Sequence, residues 1–278
     1  MINRRNKDLR FSRTPLVTRL FLVATTVIAL VAPMNFVLIN PGPASPLFPK
    51  VVALKNSTTD SSLKSYPVKG NLYLLTIYVT NPQSYVSGSM VLGCWVWGEC
   101  AALPRSVMYE KETTNKEELA ASTKEMTTSQ SVAVAAAKGY LTRKYPQINL
   151  ADFTDSSLKV SLKNTGGPSG GLIFTLGLID LLTPVDIVQG RKVAGTGTIN
   201  AKGEVGSIGG LTEKVLGAKE AGASLLFISR ENCLDLPRKI SGLTVVAVDT
   251  IDEAVAYLLQ KEPPLNSAGI RGCASVGA

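Results

Sequence analysis

From Leu20 to Ile39 the chain carries no formal charge, a twenty-residue run that predicts one membrane-spanning helix. Thr25, Thr26, Pro33 and Asn35 dilute its apolarity, but membrane helices tolerate such residues. Pro41, Gly42, Pro43, Pro46 and Pro49 then predict an extended, irregular connector, and residues 56–69 read as a polar loop. Leu72–Val79, rich in β-branched and aromatic residues, predicts a buried strand. Val86–Trp97 is apolar with mixed period and fits either element type. Asn115 with Glu118 three residues on marks a capping box, and an alanine-rich helix follows from Lys116 to about Leu141. Leu158–Leu162 alternates as a half-buried strand does, and 169–182 predicts a second, apolar helix. Strands are expected at Lys192–Ile199, near Val205, at Leu225–Ser229 and at Leu243–Val248, with helices at 211–221 and Ile251–Leu259. Alternating strands and helices without a dinucleotide fingerprint predict an α+β or α/β domain over 65–260. A basic tail (1–19), an anchor (20–40) and a linker (41–64) precede it, and a flexible tail (261–278) follows.

The net charge of +8 on 278 residues would suggest nucleic acid were it spread over the domain. It is not. Residues 1–20 hold Arg4, Arg5, Lys7, Arg10, Arg13 and Arg19 against Asp8, which leaves only +3 for the rest. Basic residues ahead of an apolar run put the N-terminus in the cytoplasm and the domain outside, with a cleavable signal peptide as the competing reading. Cys94, Cys100, Cys233 and Cys273 fit an oxidising compartment, and their pairing is open among three connectivities. Cys94 and Cys100 would close a small loop around Trp95 and Trp97. With no histidine and no Cys-x-x-Cys pair there is no zinc signature, and neither metal nor cofactor is expected.

The chemistry concentrates in Gly166-Gly167-Pro168-Ser169-Gly170-Gly171. Glycines on both sides let the backbone turn tightly and approach a ligand, and Pro168 stiffens the turn. Ser169 stands at the start of an apolar helix, where unpaired N–H groups and the helix dipole favour a developing negative charge. Acyl transfer needs a nucleophile beside such donors. A chain without histidine must activate that serine with another base. Lys214 lies 45 residues on, among Ile208, Gly209, Gly210, Leu211, Val215 and Leu216. Free lysine is protonated at neutral pH, but burial lowers its pKa to roughly 7–8, where it accepts a proton. A plain capped turn and a lysine at a helix edge are the competing structural readings of these two features.

Gly167-Pro168-Ser169, Gly195-Thr196-Gly197 and Gly209-Gly210-Leu211-Thr212-Glu213-Lys214 together resemble the proteolytic domain of Lon proteases. The likeness extends over about 65–260, from the long helix and the strand at Leu158 to Ala218–Ala223 and the strand at Leu225. It implies an α+β fold of the ribosomal protein S5 domain 2 type and a Ser–Lys dyad, with Ser169 as nucleophile and Lys214 as general base. It further implies that Thr196 bonds and positions the lysine, and that the backbone at Gly167, Pro168, Ser169 and Gly170 forms the oxyanion site. Protein or peptide substrates and a homo-oligomeric ring are implied too. The chain departs from the family at Gly166, where many members carry Asp, and at Gly170, where Ala is usual. It contains no Gly-Lys pair and hence no phosphate-binding loop for ATP. An anchor and no ATPase make it most similar to the bacterial membrane-anchored Lon-like proteases. Those usually insert a PDZ domain where this chain has only Thr142–Lys163. The expectation is an ATP-independent serine endopeptidase, single-pass in the bacterial cytoplasmic membrane, with its catalytic domain outside. A catalytically inactive membrane adaptor and a phosphate-binding, kinase-like enzyme are the alternatives.

Overall fold

A computed structural model of the chain describes residues 15–54, 63–162, 165–260 and 270–273. Seven strands form its main sheet. In chain order they are β1 (Phe36–Pro46), β3 (Asn71–Val79), β4 (Ala101–Pro104), β6 (Lys192–Gly195), β9 (Leu225–Ser229), β10 (Thr244–Val248) and β11 (Ile270–Arg271). Their spatial order is β11-β10-β9-β6-β3-β1-β4, parallel from β11 to β3 and antiparallel at β1 and β4. Two small antiparallel ribbons flank it, β2 (Val52–Leu54) with β5 (Leu158–Val160) and β7 (Thr198–Ile199) with β8 (Val205–Gly206). The fold is therefore mixed α/β.

Period-two alternation divides the core between the sheet's two faces. Leu72, Leu74, Leu225, Phe227, Val246 and Val248 face α4 (Asn115–Lys144), α5 (Gly171–Leu182) and α7 (Ile251–Leu259). Leu75, Leu226, Ile228, Val245 and Ala247 face α6 (Leu211–Glu220), which contributes Leu211, Val215 and Ala218 at helical spacing. Every residue of α5 except Leu181 is buried, so its start is held from all sides.

The N-terminal segment differs from the spanning helix expected over Leu20–Ile39. Helix α1 covers Leu16–Val31, and no residue of it is buried. Pro33 stops it by forcing Ala32 out of the helical region, and Met34 donates instead to the Val86 carbonyl at 2.8 Å. Phe36–Ile39 then enter β1, between β3 and β4, with Val37, Leu38 and Ile39 in the core. Among the described residues no helix is long and apolar enough to cross a membrane. The expected connector is also largely strand. Its strand prolines fit because β4 pairs only with Phe36–Ile39, which leaves Pro41 and Pro46 on an open edge, and because Pro43 falls where the β1–β3 register breaks between Pro41 and Ala44. Part of that connector, residues 55–62, and most of the expected tail, 261–269 and 274–278, lie outside the described residues, while Ile270 and Arg271 form β11.

The segment Val86–Trp97 resolves as α2 (Gly88–Trp97), capped by Ser87 and ended by left-handed Gly98. The cysteines pair as Cys94–Cys100 and Cys233–Cys273. The capping box of α4 sits one residue earlier than expected. Thr114 accepts from the Glu117 N–H at 3.2 Å and Glu117 reaches back to the Thr114 N–H at 2.9 Å. Asn115 is drawn away, its amide oxygen accepting from the Gln83 N–H at 3.0 Å.

Candidate active site

Ser169 lies in a turn that is laid along α4. The Gly167 N–H donates to the Ser122 carbonyl at 2.9 Å, and the Ser129 hydroxyl donates to the Pro168 carbonyl at 3.0 Å. Ser122 and Ser129 are two helical turns apart and so share one face. Gly167 has φ +84°, which a side chain would strain, and a Cβ on Gly166 would collide with the side chain and backbone of Ser122. The missing Asp at position 166 is thus a consequence of how closely the turn approaches α4.

On its other side the turn is bonded to the segment after β6. The Ser169 carbonyl accepts from the Gly197 N–H at 2.9 Å and from the Thr196 hydroxyl at 3.3 Å, and the Leu172 N–H donates to the Gly197 carbonyl at 3.1 Å. The helix begins later than expected: Gly170 is the N-cap of α5, provides no side-chain cap, and leaves Ser169 half-buried just outside the helix. Of the four backbone positions expected to hold an oxyanion, Pro168 has no N–H and Gly167 has spent its own on Ser122. The Ser169 and Gly170 N–H groups donate to no acceptor among the described residues.

Lys214 is 2% exposed, one turn into α6. It sits three residues after Leu211 and beside Val215, within the stripe that packs on the sheet. Burial pushes its amine down from 10.5 to about 8, and neighbouring Glu213 acts the other way. Among the described residues Lys214 forms no ion pair. The loop that leads into α6 is clamped by the 3-10 turn Arg230–Asp235. Buried Asn232 accepts from the Ile208 N–H at 2.9 Å and donates to the Ile208 carbonyl at 2.8 Å, while Glu231 accepts from Ser207 N–H at 2.9 Å. Gly210, the left-handed N-cap of α6 at φ +67°, lies where a Cβ would approach Ile77 Cδ1 of β3 to 2.8 Å.

Both helix starts meet the sheet near the C-terminal ends of β3 and β6. Gly170 abuts Leu74, which pairs with Gly195, the last residue of β6, and Gly210 abuts Ile77. Crevices at the C-terminal ends of parallel strands are the usual ligand sites of open α/β sheets. Fully buried Thr196 follows Gly195 directly, and its N–H donates to the Phe227 carbonyl at 2.9 Å. Its hydroxyl holds Ser169 and makes no hydrogen bond to the lysine, contrary to the expected contact. Nor does a hydrogen bond join the Ser169 hydroxyl to the Lys214 amine. Such contacts are often loose before substrate arrives and tighten with it. Sequence reasoning missed Ser122, Ser129 and Asn232. The seven-residue spacing of the two serines was the available signal, whereas nothing local marks Asn232.

Comparison with known proteins bears on this arrangement. The model of the Lon protease (S16) C-terminal proteolytic domain matches residues 115–261, more than half of the chain. The chain belongs to that family. Relatives include a Lon protease of Geobacter metallireducens, 34% identical over 142 residues, or 48% of this chain and 17% of the relative. A Lon protease of Haemophilus influenzae is 39% identical over 101 residues, 35% of this chain and 12% of the relative. That of Clostridium beijerinckii is 33% identical over 120 residues, 40% and 15% respectively. This chain therefore spans less than a fifth of each of these Lon proteases. The match begins at the first residue of α4 and takes in the Ser169 turn, Thr196 and Lys214, while α1, α2, the short α3 (Arg105–Met108) and β1–β4 lie before it.

Proposed function

We propose that this Lon-family domain, with a fold of the ribosomal protein S5 domain 2 type, is a serine endopeptidase that works without ATP on protein or peptide substrates. Ser169 is the nucleophile and Lys214 its base. The neutral amine takes the Ser169 proton as the hydroxyl oxygen attacks the scissile carbonyl, and the Ser169 and Gly170 N–H groups receive the oxyanion. The ammonium then protonates the leaving amine, and water, activated by the same lysine, hydrolyses the acyl-enzyme. Thr196 acts through the Ser169 carbonyl, fixing where the nucleophile stands. The observation that carries this reading is a lysine in a core position of α6, its amine near pH 8, in a chain without histidine. We further propose attachment to the outer face of a bacterial cytoplasmic membrane through the N-terminal apolar segment, where the two disulfides persist, and assembly into a homo-oligomer.

A fluorophosphonate probe tests the chemistry. Labelling of Ser169 that is abolished by Lys214→Ala, together with cleavage of an unfolded protein substrate without nucleotide, is the expected result. The absent Ser169–Lys214 hydrogen bond favours one second reading, an inactive membrane adaptor. Failure of the probe to label, with no substrate cleaved and Ser169→Ala behaving like the parent in cells, establishes the adaptor and removes the enzyme.

A further inference from the structure

Resting on the membrane attachment proposed above, we infer that α2 is a second lipid contact, with Trp95, Val96 and Trp97 seated in the bilayer beside α1. Helix α1 holds Arg19 as its single charged residue and is exposed around its whole circumference. A helix apolar on every side cannot be covered by one flat partner and calls for an apolar solvent. Two of its three hydroxyls are satisfied within the helix, Thr25 on the Phe21 and Leu22 carbonyls and Thr26 on that of Leu22 at 2.8 Å. That is how hydroxyls are accommodated in lipid. Sixteen residues nevertheless make a rod of only about 24 Å, against about 30 Å of hydrocarbon.

Helix α2 adds to that apolar surface. It has no charged residue, and Trp95, Val96 and Trp97 are 81%, 65% and 78% exposed. The two helices are in contact: a Cβ on Gly88 would collide with the Ala29 carbonyl, and the Tyr85 hydroxyl donates to the Val31 carbonyl at the end of α1. The helix is capped by Ser87 and tied by Cys94–Cys100 to the residue that precedes β4. Tryptophan and tyrosine rings collect at membrane–water boundaries because one end is apolar and the other wet. Six basic residues among the first nineteen supply the charge that an anionic leaflet attracts.

Trp95 and Trp97 are the only tryptophans in the chain, so intrinsic emission reports α2 directly. The full chain is reconstituted in vesicles of phosphatidylcholine and phosphatidylglycerol, with and without brominated acyl chains. Trp95→Phe and Trp97→Phe separate the two reporters. The expected result is loss of most emission with brominated lipid and protection from aqueous iodide. Co-flotation with vesicles while emission ignores bromine and yields to iodide overturns the α2 contact and leaves the membrane attachment standing. No co-flotation removes both. Protection from iodide without bromine quenching, with crosslinked dimers, assigns the face to a second copy and also overturns the inference. None of these outcomes touches the Ser169 chemistry.

Discussion

Helices α4 and α5 begin in opposite ways. At the start of α4, Thr114 and Glu117 exchange hydrogen bonds and consume donors that would otherwise stay open. At the start of α5, Gly170 offers no side chain, and the Ser169 and Gly170 N–H groups remain without acceptors among the described residues. The open start is held in shape from outside, by Ser122 and Ser129 on the closed helix and by Thr196 and Gly197 after β6. A helix end that serves stability satisfies itself. One available for chemistry keeps its donors open and relies on neighbours for rigidity, a division of labour expected where function overrides local preference.

The largest test of that division is removal of the proposed dyad. Ser169→Ala and Lys214→Ala should each lower peptide hydrolysis by at least about 10³-fold while circular dichroism stays native. The pH profile comes next. If the neutral fraction of Lys214 sets the rate, hydrolysis rises about tenfold per pH unit and levels off near the amine value of about 8, and a flat profile from pH 6 to 8 breaks the assignment.

Stability should move the other way. The folded value of Lys214 lies below its ordinary one, so between about 8 and 10.5 the unfolded chain binds more protons than the folded protein. Stability contributed through this group therefore climbs with pH across that window and is lowest below it. Lys214→Met should raise unfolding stability at pH 7 by on the order of 2–3 kcal/mol, with the gain fading toward pH 10.5 in denaturant titrations. No gain at pH 7 would mean that the amine is not held at a cost.

Two smaller effects separate the helix starts themselves. Ser129→Ala should lower kcat about fivefold with KM nearly unchanged, because a hydrogen bond of about 1 kcal/mol that positions the turn is lost. Thr114→Ala should cost about 1 kcal/mol of stability and leave hydrolysis as it was. If Thr114→Ala impaired catalysis as much as Ser129→Ala, the contrast between the two helix starts would dissolve.

Periodicity exposed most of the domain, because its strands and helices bury their apolar residues at spacing two and at spacing three to four. β3, β9, β10, α6 and α7 lie within a residue or two of their expected bounds. The errors have particular causes. An unbroken apolar run looks the same whether it is one span or a helix followed by a buried strand, and Pro33 alone marked the division between α1 and β1. Prolines at an open edge and a register break imitate a linker, which hid β1 from Pro41 onward. The expected strand Lys192–Ile199 breaks at Thr196 and Gly197, which turn to hold Ser169.

Local chemistry by itself determined the candidate pair, because a Gly-rich turn ahead of an apolar helix and a lysine in an apolar stripe are written in adjacent residues. It determined equally that histidine could play no part. Only the tertiary structure decided which N–H groups stay open, since Gly167 loses its own to a carbonyl 45 residues away on α4. The same holds for the clamp of Asn232 on Ile208 and for the pairing of the cysteines. Hydrogen bonds between segments distant in the chain depend on where packing delivers the backbone, and no spacing along the sequence encodes that delivery.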